Sequence, residues 1–262
     1  MIKRIISATL LILFIVATFM VKLFFELAVM FFIIAGLYEF FTMVEKKGIR
    51  VYKYFGIALG AIIPLSIMLG FELTKKWEFL FIVLTLLFLI LMQFKRRESS
   101  GVIVDISTTI FGIIYVSWLF SFLIKIRELP AGLGLLAMVL LVTKLGDIGA
   151  YLVGVAFGKT PLIPRVSPKK SVEGSIGGLA FSVLGALVSK AFVNFSYIHL
   201  ISIGIFLGIL AQLGDLSESL MKRDCQIKDS GRIFPGMGGA LDSIDSLLFT
   251  APVFYFYLSL IS

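Results

Sequence analysis

The chain has 262 residues, 59% of them hydrophobic, with 26 phenylalanines, a mean hydropathy of +1.06 and a formal net charge of +8. An apolar share so far above the roughly half found in soluble domains excludes a soluble globular enzyme and implies an integral membrane protein. The basic excess does not imply nucleic acid, because aromatic residues are not interleaved with the basic ones; the single cysteine, Cys225, excludes an intramolecular disulfide and lies outside any C-x-x-C spacing.

A helix needs about 20 residues to cross hydrocarbon and must satisfy its own backbone hydrogen bonds. On that ruler, spans are expected near 5–21, 23–44, 54–71, 77–94, 106–124, 131–157, 175–193, 198–221 and 243–261. The fold class is therefore all-α, a polytopic membrane protein of about nine transmembrane helices. The first run follows Lys3 and Arg4 in the manner of a signal peptide, but no small-residue cleavage site precedes the next run, so it reads as a span. Only the neighbourhood of Lys22 separates it from the second, which leaves eight spans with one long hairpin as the alternative count. The sixth segment is too long for a straight crossing and is expected to leave the membrane before Phe157. Residues 1–130 read as scaffold and lipid-facing helices, and residues 131–262 as catalytic helices with cytoplasmic loops at 158–174 and 222–242.

Orientation follows from Lys and Arg. In a nine-span chain, Lys3, Arg4, Lys46, Lys47, Arg50, Lys53, Lys95, Arg96, Arg97, Lys159, Arg165, Lys169, Lys170, Lys222, Arg223, Lys228 and Arg232 share one side. The other side holds Lys22, Lys75, Lys76, Lys125 and Arg127. The positive-inside rule then puts the N-terminus in the cytoplasm of the cell, the C-terminus outside, and both polar loops on the inner face. The basic groups at 46–53 and 95–97 read as topological determinants beside lipid headgroups. His199, next to a short extracytoplasmic turn, reads as an interfacial residue.

The sixth span carries charge where charge is costly. Lys144, Asp147 and Tyr151 are three and four residues apart and share a helical face. Each ionised group near the membrane centre costs roughly 2.5–3.5 kcal/mol, tolerated when groups pair or line a wet cavity. A self-neutralising Lys144–Asp147 pair is the simpler alternative. The glycine pairs Gly174/Gly178 and Gly204/Gly208 are expected to let neighbouring helices approach closely.

The following loop reads FGKTPLIPRVSPKKSVEGSIGG. Its prolines and Gly158 stop the helix, and Ser167, Lys169, Lys170 and Ser171 precede the free amides of the next one. Hydroxyls, ammonium groups and amide donors suit a phosphate ester; a loop that merely holds lipid headgroups would look similar.

The eighth span ends in Asp215, Glu218 and Ser219 on one face, followed by Lys222, Arg223, Lys228, Asp229 and Arg232; Asp242 and Asp245 open the ninth. Pro235, Gly236, Gly238 and Gly239 between them form a tight turn that brings backbone close to its neighbour. Asp215, Asp242 and Asp245 are thus able to converge. Carboxylates without histidine or thiolate favour magnesium over zinc, and a metal with lysines and arginines is the equipment of phosphoryl chemistry. Salt bridges across a helical hairpin are the structural alternative.

At these residues the chain resembles the bacterial-type phosphatidate cytidylyltransferases, or CDP-diacylglycerol synthases. Their signature S-x-x-K-R-x(4)-K-D-x(5)-P-G-H-G-G-x-x-D-R-x-D stands here as SLMKRDCQIKDSGRIFPGMGGALDSIDS, Ser219 to Ser246, and the segments TKLGDIGAYLVGVAFGK and SPKKSVEG are also similar. Two positions depart: Met237 stands for histidine and Ser243 for arginine. The resemblance implies CTP + phosphatidate → CDP-diacylglycerol + pyrophosphate, a requirement for magnesium with the number of metal ions left open, and a homodimer. Read onto these residues, Asp215, Asp242 and Asp245 would hold the metal, and Lys144 and Asp147 would line the cavity. Lys169, Lys170, Lys222, Arg223 and Lys228 would neutralise phosphate, with Asp229 beside them. Ser167, Ser171, Ser219, Arg232, Gly236, Gly238 and Gly239 complete the substrate contacts.

Two rival classes make different demands. A cation-coupled transporter using Lys144, Asp147 and Asp215 would need inverted repeats, which are not seen. A CDP-alcohol phosphotransferase would need D-G-x-x-A-R-x(8)-G-x(3)-D-x(3)-D, which the sequence lacks.

Overall fold

The computed structural model describes residues 21–70, 75–95, 100–234 and 238–261. The expected span at 5–21 lies, up to residue 20, outside the described residues, as do Arg96, Arg97, Gly236 and Met237. Eight helices follow in order among the described residues: α1 Lys22–Lys46, α2 Lys53–Met68, α3 Lys75–Gln93, α4 Val102–Glu128, α5 Gly132–Phe157, α6 Val172–Val188, α7 Tyr197–Asp224 and α8 Ala240–Ile261. α1 and α4 to α8 are long and apolar enough to cross a membrane, α6 by continuing through a 3-10 turn to Ala191; α2 and α3 are shorter apolar helices. This is an all-α integral membrane protein with one small β-hairpin, β1 Pro161–Ile163 and β2 Ser167–Ser171.

The chain divides into two compact units, 1–124 with 230–241, and 125–229 with 242–262. In the first, Ile33, Leu37, Phe40, Phe41 and Val44 form the buried stripe of α1, at the spacing of one helical face. Leu23, Phe24, Leu27, Phe31 and Tyr38 remain exposed on the same helix, the dressing of a lipid-facing surface. α4 contains a π-helical segment, Ile113–Trp118, whose Ser117 hydroxyl donates to the Gly60 carbonyl of α2. Buried Asp105 of α4 accepts from the Arg50 amide at 3.0 Å and so holds the α1–α2 connection.

In the second unit α6 packs along α5, and the expected small-residue contact is present: the Ala150 carbonyl and the Gly154 Cα lie where a side chain at Gly174 would go. α7 packs on α6 through a polar pair. Ser175 donates its hydroxyl to Gln212 Oε1, and Gln212 Nε2 returns a bond to the Ser175 carbonyl at 3.0 Å. Thr143 of α5 meets Thr250 of α8 at 3.2 Å.

α5 runs unbroken to Phe157. Two expectations need correcting. The segment expected as a loop at 158–174 contains the antiparallel hairpin, pairing Pro161 with Ser171 and Ile163 with Ser167; its base is pinned by Glu173, whose carboxylate accepts from the Lys159 and Thr160 amides at 3.1 Å. The polar segment expected from 222 begins later, because α7 continues through Lys222 and Arg223 to Asp224. No proline or glycine interrupts it there, and cations in a last turn complement the helix dipole. At its far end, α8 starts at Ala240, so Asp242 lies in the first turn of the helix.

Candidate active site

Within the second unit, polar side chains of α5, α7 and α8 gather around Lys144. Its ammonium donates to Asp147 Oδ2 at 3.1 Å, to the Ser243 carbonyl at 3.2 Å and to Ser246 Oγ at 3.2 Å. Ser246 Oγ in turn donates to Asp147 Oδ2 at 3.0 Å, closing a ring of lysine, carboxylate and hydroxyl. The i, i+3 spacing of 144 and 147 on α5, and of 243 and 246 on α8, puts each pair on one face and lets the two faces mate. The bond to Ser243 uses its backbone, so the departure from arginine at that position leaves it intact.

Asp245 is buried, with Oδ1 accepting the Ser246 amide at 2.6 Å. Its own carbonyl lies where a side chain at Gly214 would go, so α7 and α8 touch backbone to backbone one residue before Asp215. Asp215 and Asp245 both fall within electrostatic reach of Lys144. The Lys144 ammonium therefore occupies an all-oxygen cradle with further carboxylates around it.

A second cluster lies along the same helices. Lys222 bridges Glu218, one turn back on α7, and Asp242 of α8; Glu218 is wholly buried. Lys170 reaches from β2 to pair with Asp215. The Nε of Arg223 donates to the Val166 carbonyl at 3.1 Å and its Nη1 to the Ile227 carbonyl at 3.3 Å, clamping the hairpin to the end of α7. Among the described residues no three acidic, histidine or cysteine side chains stand close enough to enclose a metal ion.

The remaining expected residues are dispersed. Ser171 caps α6, accepting from the Gly174 amide at 3.1 Å; Ser167 is half-buried in β2 and Lys169 is exposed. Ser219 is buried, and Lys228 and Asp229 are exposed beyond α7. Tyr151 is 71% exposed and takes no part in the Lys144 ring. Arg232, Gly238 and Gly239 belong to the first unit, Gly238 with φ +100 in a bridge to Phe234, while Gly236 is outside the described residues. Sequence reasoning missed Ser246 and Gln212. The available signal was spacing: each is a polar side chain in an apolar span, one turn from an acid already singled out.

The sequence profile of the cytidylyltransferase family matches residues 2–261. The chain belongs to the cytidylyltransferase family. Among its relatives, a phosphatidate cytidylyltransferase of Bacillus subtilis is 33% identical over 251 residues, covering 89% of this chain and 93% of the relative. One from Synechocystis is 32% identical over 267 residues, covering 91% and 89%, and one from Thermotoga maritima is 38% identical over 232 residues, covering 85% and 83%. The cytidylyltransferase is a CTP-dependent nucleotidyltransferase of the membrane, and a cation-coupled transporter finds no support.

Proposed function

We propose that the protein transfers the cytidylyl group of CTP to phosphatidate, giving CDP-diacylglycerol and pyrophosphate for phospholipid synthesis. The observation that carries this reading is the family match from residue 2 to 261, which takes in the whole Lys144 cluster. A phosphatidate oxygen attacks the α-phosphorus of CTP, the bond from that phosphorus to the bridging oxygen breaks, and pyrophosphate departs. Such chemistry asks the protein for positioning and charge stabilisation rather than a covalent partner.

Asp215, Asp242 and Asp245 offer oxygen ligands only, which suits a hard divalent cation such as magnesium, and Asp215 and Asp242 already hold the ammonium groups of Lys170 and Lys222. Standing too far apart to enclose an ion as the helices lie, these three acids would draw together to hold it. Once bound, magnesium supplies charge neutralisation on the phosphate oxygens. Lys170 and Lys222, paired with Asp215 and Asp242, would move to phosphate when the acids take the metal. Lys169 and Lys228, exposed in flanking segments, would draw in the triphosphate. Ser167, Ser171 and Ser219, with Arg232, Gly236, Gly238 and Gly239, would provide further substrate contacts. Lys144 would keep Asp147 and Ser246 aligned and balance charge around Asp245.

The Lys and Arg asymmetry supports a cell-membrane enzyme with its N-terminus and its site on the cytoplasmic side. The apolar run before residue 21, with the eight described helices, would give about nine crossings. A homodimer in the membrane fits the same reading.

Purified protein in detergent is expected to release pyrophosphate only when CTP and phosphatidate are both present. Chelation with EDTA is expected to bring that release to background, and added magnesium to restore it; full turnover in EDTA would remove the metal from this reading.

A further inference from the structure

α1 carries an acid that the proposed chemistry does not use. Glu39 is 4% exposed, in a helix otherwise read as scaffold. Its Oε2 accepts the Ser230 hydroxyl at 3.0 Å and the Leu241 amide at 2.9 Å, the two ends of segment 230–241 in the same unit. The carboxylate also fills the space where side chains at Gly231 and Gly239 would stand. Seven residues earlier on the same face, Phe32 stacks on Phe234 of this segment with ring centroids 5.8 Å apart. Phe234 and Gly238, both of this segment, exchange amide bonds of 3.0 and 3.2 Å.

One carboxylate thus gathers both ends of the glycine-rich loop. An acid inside an apolar helix must be paired to be tolerated, but neutralisation alone does not require hydroxyl and amide donors from opposite ends of one loop. Leu241 is followed in the chain directly by Asp242. We propose that Glu39 is a positioning residue for cytidylyl transfer: it ties the ends of loop 230–241 together and so fixes the backbone that carries Gly238, Gly239 and the start of α8. This rests on the reading of the protein as a cytidylyltransferase acting on phosphatidate.

Hydrogen exchange followed by mass spectrometry, together with steady-state kinetics on the full chain in detergent, tests it. In Glu39→Ala, exchange in 230–241 is expected to accelerate while peptides of α5 to α7 stay unchanged, and kcat/KM for CTP to fall about ten- to a hundredfold. Glu39→Gln, which keeps a carbonyl acceptor, is expected to stay within about threefold of wild type in both readouts. Gly231→Ala, which pushes a methyl into the carboxylate while leaving residue 39 unsubstituted, is expected to behave as Glu39→Ala and covers the case in which that variant does not fold. Unchanged exchange in 230–241, turnover of Glu39→Ala within twofold of wild type, or a Gln variant as impaired as the Ala variant would each overturn the proposal. A wild-type protein without transferase activity would instead sink the functional reading, and the exchange data would still judge the tether.

Discussion

Asp245→Asn is expected to lower kcat by about a hundred- to a thousandfold while leaving the protein folded. The side chain is buried at the seam of α7 and α8, beside the backbone contact at Gly214. Asparagine is close in volume and still offers a carbonyl oxygen to the Ser246 amide, now met at 2.6 Å, so the cost to stability is about 1 kcal/mol. What disappears is a negative charge that acts on Lys144, and with it one of the ligands proposed for a divalent cation. Kinetics at saturating CTP and magnesium, beside thermal unfolding in the same detergent, separate the two effects. Wild-type turnover by Asp245→Asn would take this carboxylate out of the chemistry.

Lys144→Met is expected to cost at least about a hundredfold in turnover and to destabilise the fold by about 1–3 kcal/mol. Methionine keeps the apolar stem but leaves Asp147, the Ser243 carbonyl and Ser246 without the ammonium that all three share. The lysine side chain is 44% exposed, which holds the stability loss below that of a fully buried pair. Lys144→Arg separates charge from geometry. A planar guanidinium carries the same charge but does not converge on three acceptors at one point, so the arginine variant is expected to recover stability but not rate. Equal turnover in lysine and arginine forms would reduce the position to a mere neutraliser of Asp147.

Much of this architecture could be read from the chain because lipid imposes a length and a periodicity on apolar residues. The spans around α4 to α8 follow directly from that constraint, and the pairing of Lys144 with Asp147 follows from helical spacing. Helix ends were less legible. α7 outlasts its apolar stretch by a turn, through Lys222 and Arg223, because helix propensity and dipole rather than hydropathy decide where it stops. The hairpin at Pro161–Ser171 escaped notice since its strands are short and proline-bounded, and Glu173 holds them from outside.

The direction of long side chains was equally hidden. Arg223 reads from sequence as a phosphate neighbour, and its bonds to the Val166 and Ile227 carbonyls are visible only in the fold. Glu39 lies within a stretch whose sequence reads only as scaffold helix. Its partner Ser230 lies 191 residues away in sequence, a separation at which spacing rules carry no information. Residues with local partners were foreseeable, whereas those whose partners come from distant segments needed the fold.

Label transfer tests the assignment of chemistry to this cluster most directly. Purified protein receives phosphatidate, magnesium and CTP carrying radiophosphorus at either the α or the γ position, and the mixture is extracted with organic solvent. Cytidylyl transfer puts the α label in the lipid phase and leaves the γ label in water as pyrophosphate, with Asp245→Asn and Lys144→Met transferring at the reduced rates given above. Label absent from the lipid phase with wild-type protein, or γ label appearing there, would contradict it.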